Sequence, residues 1–533
     1  MAMKINYLFI FLLQVLLIQT GYSQNSGSLD TTFNIVGTFT HDFGFIDNIT
    51  DVKIQPADQK IVVAGTALTP SFSGKLLVAR LLPEGGFDTT FNDSGSVIIP
   101  FFNESYAYET FIKNDGKIVV AGAAADPSFQ FTALVLRLNE DGSIDSTFGT
   151  NGFSLPEIST GDDFAYAMAE QIDHKIVIAG TAVDANFRNA PCVMRMEEDG
   201  AIDSTFGTNG VAYIPISETD NELTSVVIQP DGKILVSGHI DNGLTSGGQF
   251  DFDVLVARFN TDGTADITFG NNGVVITAVS TNYIDDAFGM QLTSNGGIIV
   301  VGFTTQPNFS YDAIVLQYDS TGSLDTTFGT NGITIFDNAD QDIAFDVEVQ
   351  SDGKILIAGN SGEFIPNPND FMLARYNSNG TLDNSFGTNG FSLTPILADY
   401  DEAESMAIQA DGKIVLGGKA YNGSQFDMTV ARFNNDVSSS INELIVTKKI
   451  ELYPNPVSKS QPLTIVIESD IVGTATVEIF DLPGSLAAVS NSMPIQSGTN
   501  HLQITLPATL VPGLYFLKTS GNFQATYKLV VTE

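Results

Sequence analysis

The chain has 533 residues, with 23 Lys plus Arg against 62 Asp plus Glu and a formal net charge of −39 at pH 7. That excess repels polyanions and excludes nucleic-acid binding, while 43 % hydrophobic and 16 % charged residues exclude an acidic disordered tail. A single cysteine, Cys192, excludes an intramolecular disulfide, and the lack of Trp argues against a sugar-binding lectin.

Residues 1–23 read as a secretory signal. Lys4 supplies the positive start, Tyr7 to Ile18 an apolar run of about twelve residues, and Gly21 and Ser23 the small residues that cleavage needs. The run is shorter than the roughly 18 residues that span a bilayer, and no later segment is long and apolar enough, so the mature chain is expected to carry no transmembrane segment. No Cys follows the cleavage site to take a lipid.

From Ser28 to Asp436 one pattern returns about every 58 residues, a period typical of propellers and stacked arrays. Its first landmark is a turn followed by an apolar run ending in small residues, as in Asp115-Gly116-Lys117-Ile118-Val119-Val120-Ala121-Gly122 and again at Asp231 to Gly238, Asp352 to Gly359 and Asp411 to Gly418. Weaker copies occupy Asp58 to Gly65, Asp173 to Gly180 and Asn295 to Gly302. The second landmark is Leu324-Asp325-Thr326-Thr327-Phe328-Gly329-Thr330-Asn331-Gly332, with variants around Phe33, Phe91, Phe148, Phe206, Phe269 and Phe386. A strand carrying Arg80, Arg137, Arg195, Arg258, Arg375 or Arg432 separates the two; the fifth unit has Gln317 there and Gly297 in place of the turn Lys.

Each unit therefore reads as four short strands. Asp-Gly between apolar runs is a strong hairpin signal, and near-continuous apolar strands imply burial on both faces, as in a blade packed between blades. Seven four-stranded units predict an all-β fold, a seven-bladed β-propeller over 28–436. These landmarks resemble the delta-60 repeat, a bacterial repeat thought to form propellers, and the resemblance implies no activity.

In such a meander the Asp-Gly-Lys turns and the inter-blade connections share one face, leaving the variable loops on the other. The fourth unit carries an insertion there, Asp241 to Gln249. The loops between first and second strands hold acidic residues in every unit, and Asp163, Asp220, Glu222, Asp286, Asp342 and Asp401 are the candidate ligand-binding rim. The plainer reading is a solvated, solubilising edge. The functional one is a site for a basic partner or for calcium, since hard cations want several carboxylates; calcium is the one cofactor the sequence admits. The recurrent Arg and the Asp of the second landmark are expected to form one buried pair per blade, with that Asp capping the turn before Phe.

No His-Glu-x-x-His, no paired Cys, no Gly-x-Ser-x-Gly elbow and no phosphate loop is present, and the four His are scattered. No catalytic or metal residue is assigned. His239 is the most suggestive of the four, because it opens the long fourth-unit loop beside Asp241.

Residues 437–449 read as a linker, and 450–533 as a small Ig-like β-sandwich of alternating apolar stretches. The stretch Leu452-Tyr453-Pro454-Asn455-Pro456, the hairpin Pro512-Gly513-Leu514-Tyr515-Phe516 and the closing Lys528-Leu529-Val530-Val531 resemble the type A C-terminal sorting domain of the type IX secretion system of Bacteroidetes. Tyr453, Pro454, Asn455, Pro456, Gly513, Tyr515 and Lys528 are the sorting-signal positions. The resemblance implies a partner, the type IX machinery, and an address, secreted or on the outer cell surface.

The sequence thus predicts an exported propeller acting as a monomer, a binding or adhesion module for an unknown extracellular ligand. The alternative is an extracellular glycoside hydrolase or lyase with its site on the variable-loop face.

Overall fold

The computed structural model describes residues 25–435 and 450–532, apart from 100, 102, 184–187, 215, 217–220, 246–247, 340, 364–368, 398 and several loop stretches of the C-terminal module. The leader 1–23 and the linker 437–449 lie outside the described residues. The chain divides into two compact units, one ending at Asp436 and the other spanning Val437–Glu533.

In the first unit every Asp-Gly turn joins two antiparallel strands. Blade 1 runs from axis to edge as Asp47–Ile54, Ile61–Leu68, Gly74–Leu81 and Ser96–Ile99. Five further blades repeat this order. The seventh has only three strands of its own, Asp401–Ile408, Ile414–Tyr421 and Phe426–Phe433, and takes Thr38–His41 from the N-terminal end as its outer strand, from Thr38↔Ala431 to His41↔Met428. The ring thus closes by strand exchange, and the strand ending before the Asp-Gly turn is the innermost one, two points the repeat pattern leaves open. The fourth-unit insertion is an extension of one hairpin, Ile234–Leu244 with Phe250–Phe259.

The apolar core lies in seven layers between adjacent blades. Ile61 and Val63 pack toward blade 7, and Val62 and Ala64 toward blade 2, so one strand serves two layers. This is why the runs are apolar at every position, each fully buried Val, Leu or Ile stabilising the ring by roughly 1.5–3 kcal/mol. The Gly that ends each run has a steric cause. At Gly122 a Cβ would come within 1.9 Å of the Tyr106 carbonyl oxygen, and the equivalent glycines, Gly65 among them, meet the inner strand as closely. The inner strand is bulged there, between Ala107 and Glu109 in blade 2, and only Gly lets the two backbones approach.

In the second unit, Ile450–Tyr453, Leu463–Ser469 and Gly498–Ile504 form one sheet, and Val457–Ser458, Ala525–Thr532, Gly513–Gly521, Gly473–Phe480 and Leu486–Val489 form the other. Both contribute to a single apolar core that includes Ile465, Leu502, Val477, Leu517 and Leu529.

Candidate functional site

The bulge also fixes the chemistry at the axis. All seven inner strands line one cavity of about 450 Å³, and the residues at and just after each bulge face it or the neighbouring inner strand. Just after the bulge, Asp51 Oδ2 accepts from the Thr110 N–H and hydroxyl of blade 2, each at 2.7 Å. Glu109 Oε2 accepts from Met168 N of blade 3 at 2.9 Å, and Asp346 Oδ2 from Met406 N of blade 7 at 2.7 Å. Ser405 continues the collar across the closure, accepting from Val52 N at 3.1 Å and donating to Asp51 Oδ1 at 3.0 Å.

These carboxylates converge on Lys53, whose Nζ lies 2.7 Å from Asp51 Oδ1 and 3.7 Å from Glu109 Oε1. Burial pushes the Glu109 carboxyl up to about 7 even though Lys53 pulls it down. Glu348, raised by burial and then by the Asp346 charge, also reaches about 7. A second node surrounds Lys419, 2.9 Å from Glu402 and 3.1 Å from Glu404. Burial brings Glu404 to about 7, Lys419 opposing and Glu402 reinforcing it. The rest of the wall is aromatic: Tyr108 lies 5.1 Å from Tyr166, and Phe288 5.1 Å from Phe345. The cavity lining therefore holds six carboxylates, those of Asp51, Glu109, Glu222, Asp346, Glu348 and Glu404, against the one ammonium of Lys53.

The structure distributes the predicted rim differently. Asp163, Asp342 and Asp401 are buried at the starts of inner strands, and each turns its Oδ2 back onto its own loop. Asp163 accepts from Ile158 N at 2.9 Å, Asp342 from Asn338 N at 2.7 Å and Asp401 from Ile396 N at 2.7 Å. One oxygen of each is thus held by its loop, because a short polar loop over an apolar blade has amides that need acceptors, while Oδ1 of each is buried without a partner rather than presented on a solvated rim. Asp220 lies outside the described residues. Glu222 does face the cavity. Asp286 bonds His239, Nδ1 to Oδ1 3.0 Å, and the imidazole stacks on Phe252 with centroids 4.5 Å apart. Burial opposes protonation of His239, but the Asp286 bond and the Glu222 and Asp241 charges outweigh it and raise the pKa. Sequence reasoning named His239 and Asp286 separately but not their pairing, and it missed the Lys53 cluster.

The C-terminal motif residues are structural straps where described. Asn455 Oδ1 accepts from Val530 N at 3.0 Å, and the buried Tyr515 donates its hydroxyl to the Val511 carbonyl at 2.8 Å. Tyr453 and Lys528 pair through their backbones with Thr464 and Phe516. Pro454 and Gly513 are exposed, and Pro456 lies outside the described residues.

Segments 57–91, 113–148, 171–206, 229–269, 293–328, 350–386 and 409–436 each match the model of a domain of unknown function, DUF5122, described as a β-propeller. The chain carries a seven-repeat DUF5122 β-propeller domain. Residues 451–532 match the secretion system C-terminal sorting domain, so this DUF5122 propeller is type IX cargo, delivered to the cell surface or beyond. Among the described residues no helix is long and apolar enough to cross a membrane. No curated protein matches the chain. Solved propellers resemble it in part. A glucose dehydrogenase is 10 % identical over 60 % of this chain and 95 % of its own, at a TM-score of 0.36. A Hadza microbial sialidase is 8 % identical over 68 % and 73 %, also at 0.36, and the endo-arabinanase of Bacillus licheniformis 11 % identical over 53 % and 98 %, at 0.29. Likeness at this level says nothing of the chemistry of the DUF5122 axis.

Proposed function

We propose that the exported propeller is a binding module whose axial cavity takes a ligand bearing ammonium or guanidinium groups, such as a polyamine or a basic peptide. The observation that supports this reading is the cavity lining, six carboxylates and four aromatic rings around a single Lys. Carboxylates crowded in a half-buried space repel one another and hold protons; an incoming cation relieves the repulsion, and aromatic faces add cation–π attraction. Binding should release protons from Glu109, Glu348 and Glu404. Calorimetry of the full exported chain with spermidine, in two buffers of different ionisation enthalpy near pH 6.5, tests it. Saturable heat that depends on the buffer, and a tenfold or greater loss in Glu348→Gln, is the expected result. No heat at millimolar spermidine or arginine, or an unchanged Glu348→Gln, rejects it.

A catalytic reading has one observation in its favour. A carboxyl held at about 7, as in Glu348, suits a general acid at neutral pH. Turnover of an aryl glycoside by the wild type and its loss in Glu348→Gln would move the proposal to a glycosidase.

A further inference from the structure

Where the ring closes, three carboxylates from different parts of the chain come together. Asp42 lies in the loop after the closing strand, Asp47 begins the inner strand of blade 1, and Asp427 belongs to the third strand of blade 7. One carboxylate oxygen from each lies within 4.8 Å of the other two, the one such acidic triad among the described residues. We infer that this triad binds a divalent cation of calcium size, which pins the N-terminal closing strand between the first and last blades.

A cluster of acids alone would not carry this, but Asp47 adds an independent observation. Its side chain is 0 % exposed, and while Oδ2 accepts from Phe43 N at 2.5 Å, Oδ1 has no hydrogen-bond partner. Asp163, Asp342 and Asp401 leave the same oxygen unpartnered at the same strand position, but among these four only Asp47 has two further carboxylates beside it. A buried unpartnered carboxylate oxygen is costly unless something positive completes it. No Lys or Arg does so. The charged groups acting on Asp47 are the carboxylates of Asp42 and Asp427.

The other two acids are oriented by local donors. Asp42 Oδ1 accepts from Gly44 N at 2.6 Å, and Asp427 Oδ2 from Asn422 Nδ2 at 2.9 Å. Calcium suits three carboxylates brought from a loop and two strands, because its coordination tolerates irregular oxygen geometry, whereas magnesium demands a near-ideal octahedron and keeps its waters. The extracellular destination supplies calcium at the concentrations a three-carboxylate site can use.

The test is a thermal melt of the full exported chain in calcium, magnesium or chelator, with calcium calorimetry alongside. Asp42→Asn and Asp427→Asn are the variants; Asp47 is spared because it also holds its loop. A ligand that binds only the closed ring raises the midpoint in proportion to its occupancy. Millimolar calcium should raise the wild-type midpoint by at least about 2 °C, magnesium should raise it less, calorimetry should give one site, and both variants should lose the rise. No calcium shift in the wild type, or a shift that persists in both variants, overturns the inference. If Asp427→Asn does not fold, Asp42→Asn alone decides, because its side chain is exposed in a loop. The axial variant Glu348→Gln should keep the calcium shift, so failure of the cavity reading leaves this result intact.

Discussion

Arg432 and Asp30 stand 402 residues apart in the chain, and Arg432 Nε lies 2.8 Å from Asp30 Oδ2. Lys413 approaches the same carboxylate at 2.9 Å, the guanidinium lies over the Phe33 ring at 5.0 Å, and Nη1 donates to the Pro83 carbonyl of the first blade. Five other units contain the same arrangement, for instance Arg258 with Asp266 at 2.7 Å and Lys233 with Asp266 at 2.8 Å. The two cations of each repeat therefore share one buried acid, and Arg also ties its blade to the next.

Removing one member of such a cluster strands a buried charge. Arg432→Met is expected to destabilise the propeller by about 3 kcal/mol, read as a lower midpoint in urea. The fifth unit offers the reverse experiment, since it has lost both cations together. Gln317 Nε2 is 3.2 Å from Asp325 Oδ2 with Gly297 at the Lys position, and Asp325 is only half-buried. Gln317→Arg should leave stability unchanged or raise it by up to about 1 kcal/mol. A loss above that would show that the fifth blade has repacked around the amide.

The same acids set the pH profile. Hydrogen bonds and cations overcome burial and bring Asp30 and Asp88 down to about 2, and lower Asp145, Asp203, Asp266 and Asp383 as well. Their contribution is complete above the unfolded value of about 3.9 and is lost as pH falls through about 2. Asp47, Glu109, Glu348 and Glu404, at about 7, and Asp401, at about 6, act oppositely, chiefly through burial. Between about pH 4 and 7 the folded chain holds more protons than the unfolded one, so stability falls as pH rises through that window. In chelator the melting midpoint should peak near pH 4 to 5 and be lower at pH 8. A flat profile from pH 5 to 8 would mean that these carboxyls ionise freely.

The repeat was legible because its landmarks make the same contact in every blade. Lys60, Arg80, Asp88 and Phe91 recur since the scaffold needs them seven times, with one lapse. The axial site was not legible for the opposite reason. Thr50, Tyr108, Tyr166, Thr224, Phe288, Phe345 and Glu404 occupy one structural position, the extra residue of the inner-strand bulge, yet divide among hydroxyl, aromatic and carboxylate side chains, so comparing repeats yields no single residue type there. Asp163 and Asp401 misled because hydrophilic loop acids look solvent-facing in a sequence, whereas nearby unpaired amides turn them inward.

Lys53 separates support from binding at the axis. Lys53→Met removes the ammonium that Asp51 and Glu109 share, and because that side chain is about a third exposed the loss should be about 1 kcal/mol, from two carboxylates crowded without a cation. Lys53→Arg keeps the charge and should cost less than half of that. Urea unfolding of both variants measures the difference. If spermidine occupies the cavity, it should recover part of the loss in Lys53→Met and little in Lys53→Arg. Equal losses in the two variants would place the role of Lys53 in packing of its stem rather than in its charge.

In the C-terminal module the motif residues act as fastenings, and this joins stability to export. Asn455 Oδ1 holds Val530 N, next to the parallel pairing of Val457 with Val531, so the start of the module is tied to its last strand. Tyr515 is 5 % exposed and closes its own hairpin through the bond to Val511. Each bond is worth about 1 kcal/mol, and a module of this size has a small core to lose it from. Asn455→Ala and Tyr515→Phe should each lower the module's unfolding free energy, read from the shifted urea midpoint of its transition, by that amount, and the double variant by about twice it, because the two bonds share no atoms. In cells, protease accessibility from outside reports delivery. A machinery that reads the folded module should deliver less of the double variant than of either single one, with the propeller itself unaltered. Unchanged delivery despite the lowered midpoint would mean that the machinery reads exposed positions such as Pro454 and Gly513 instead.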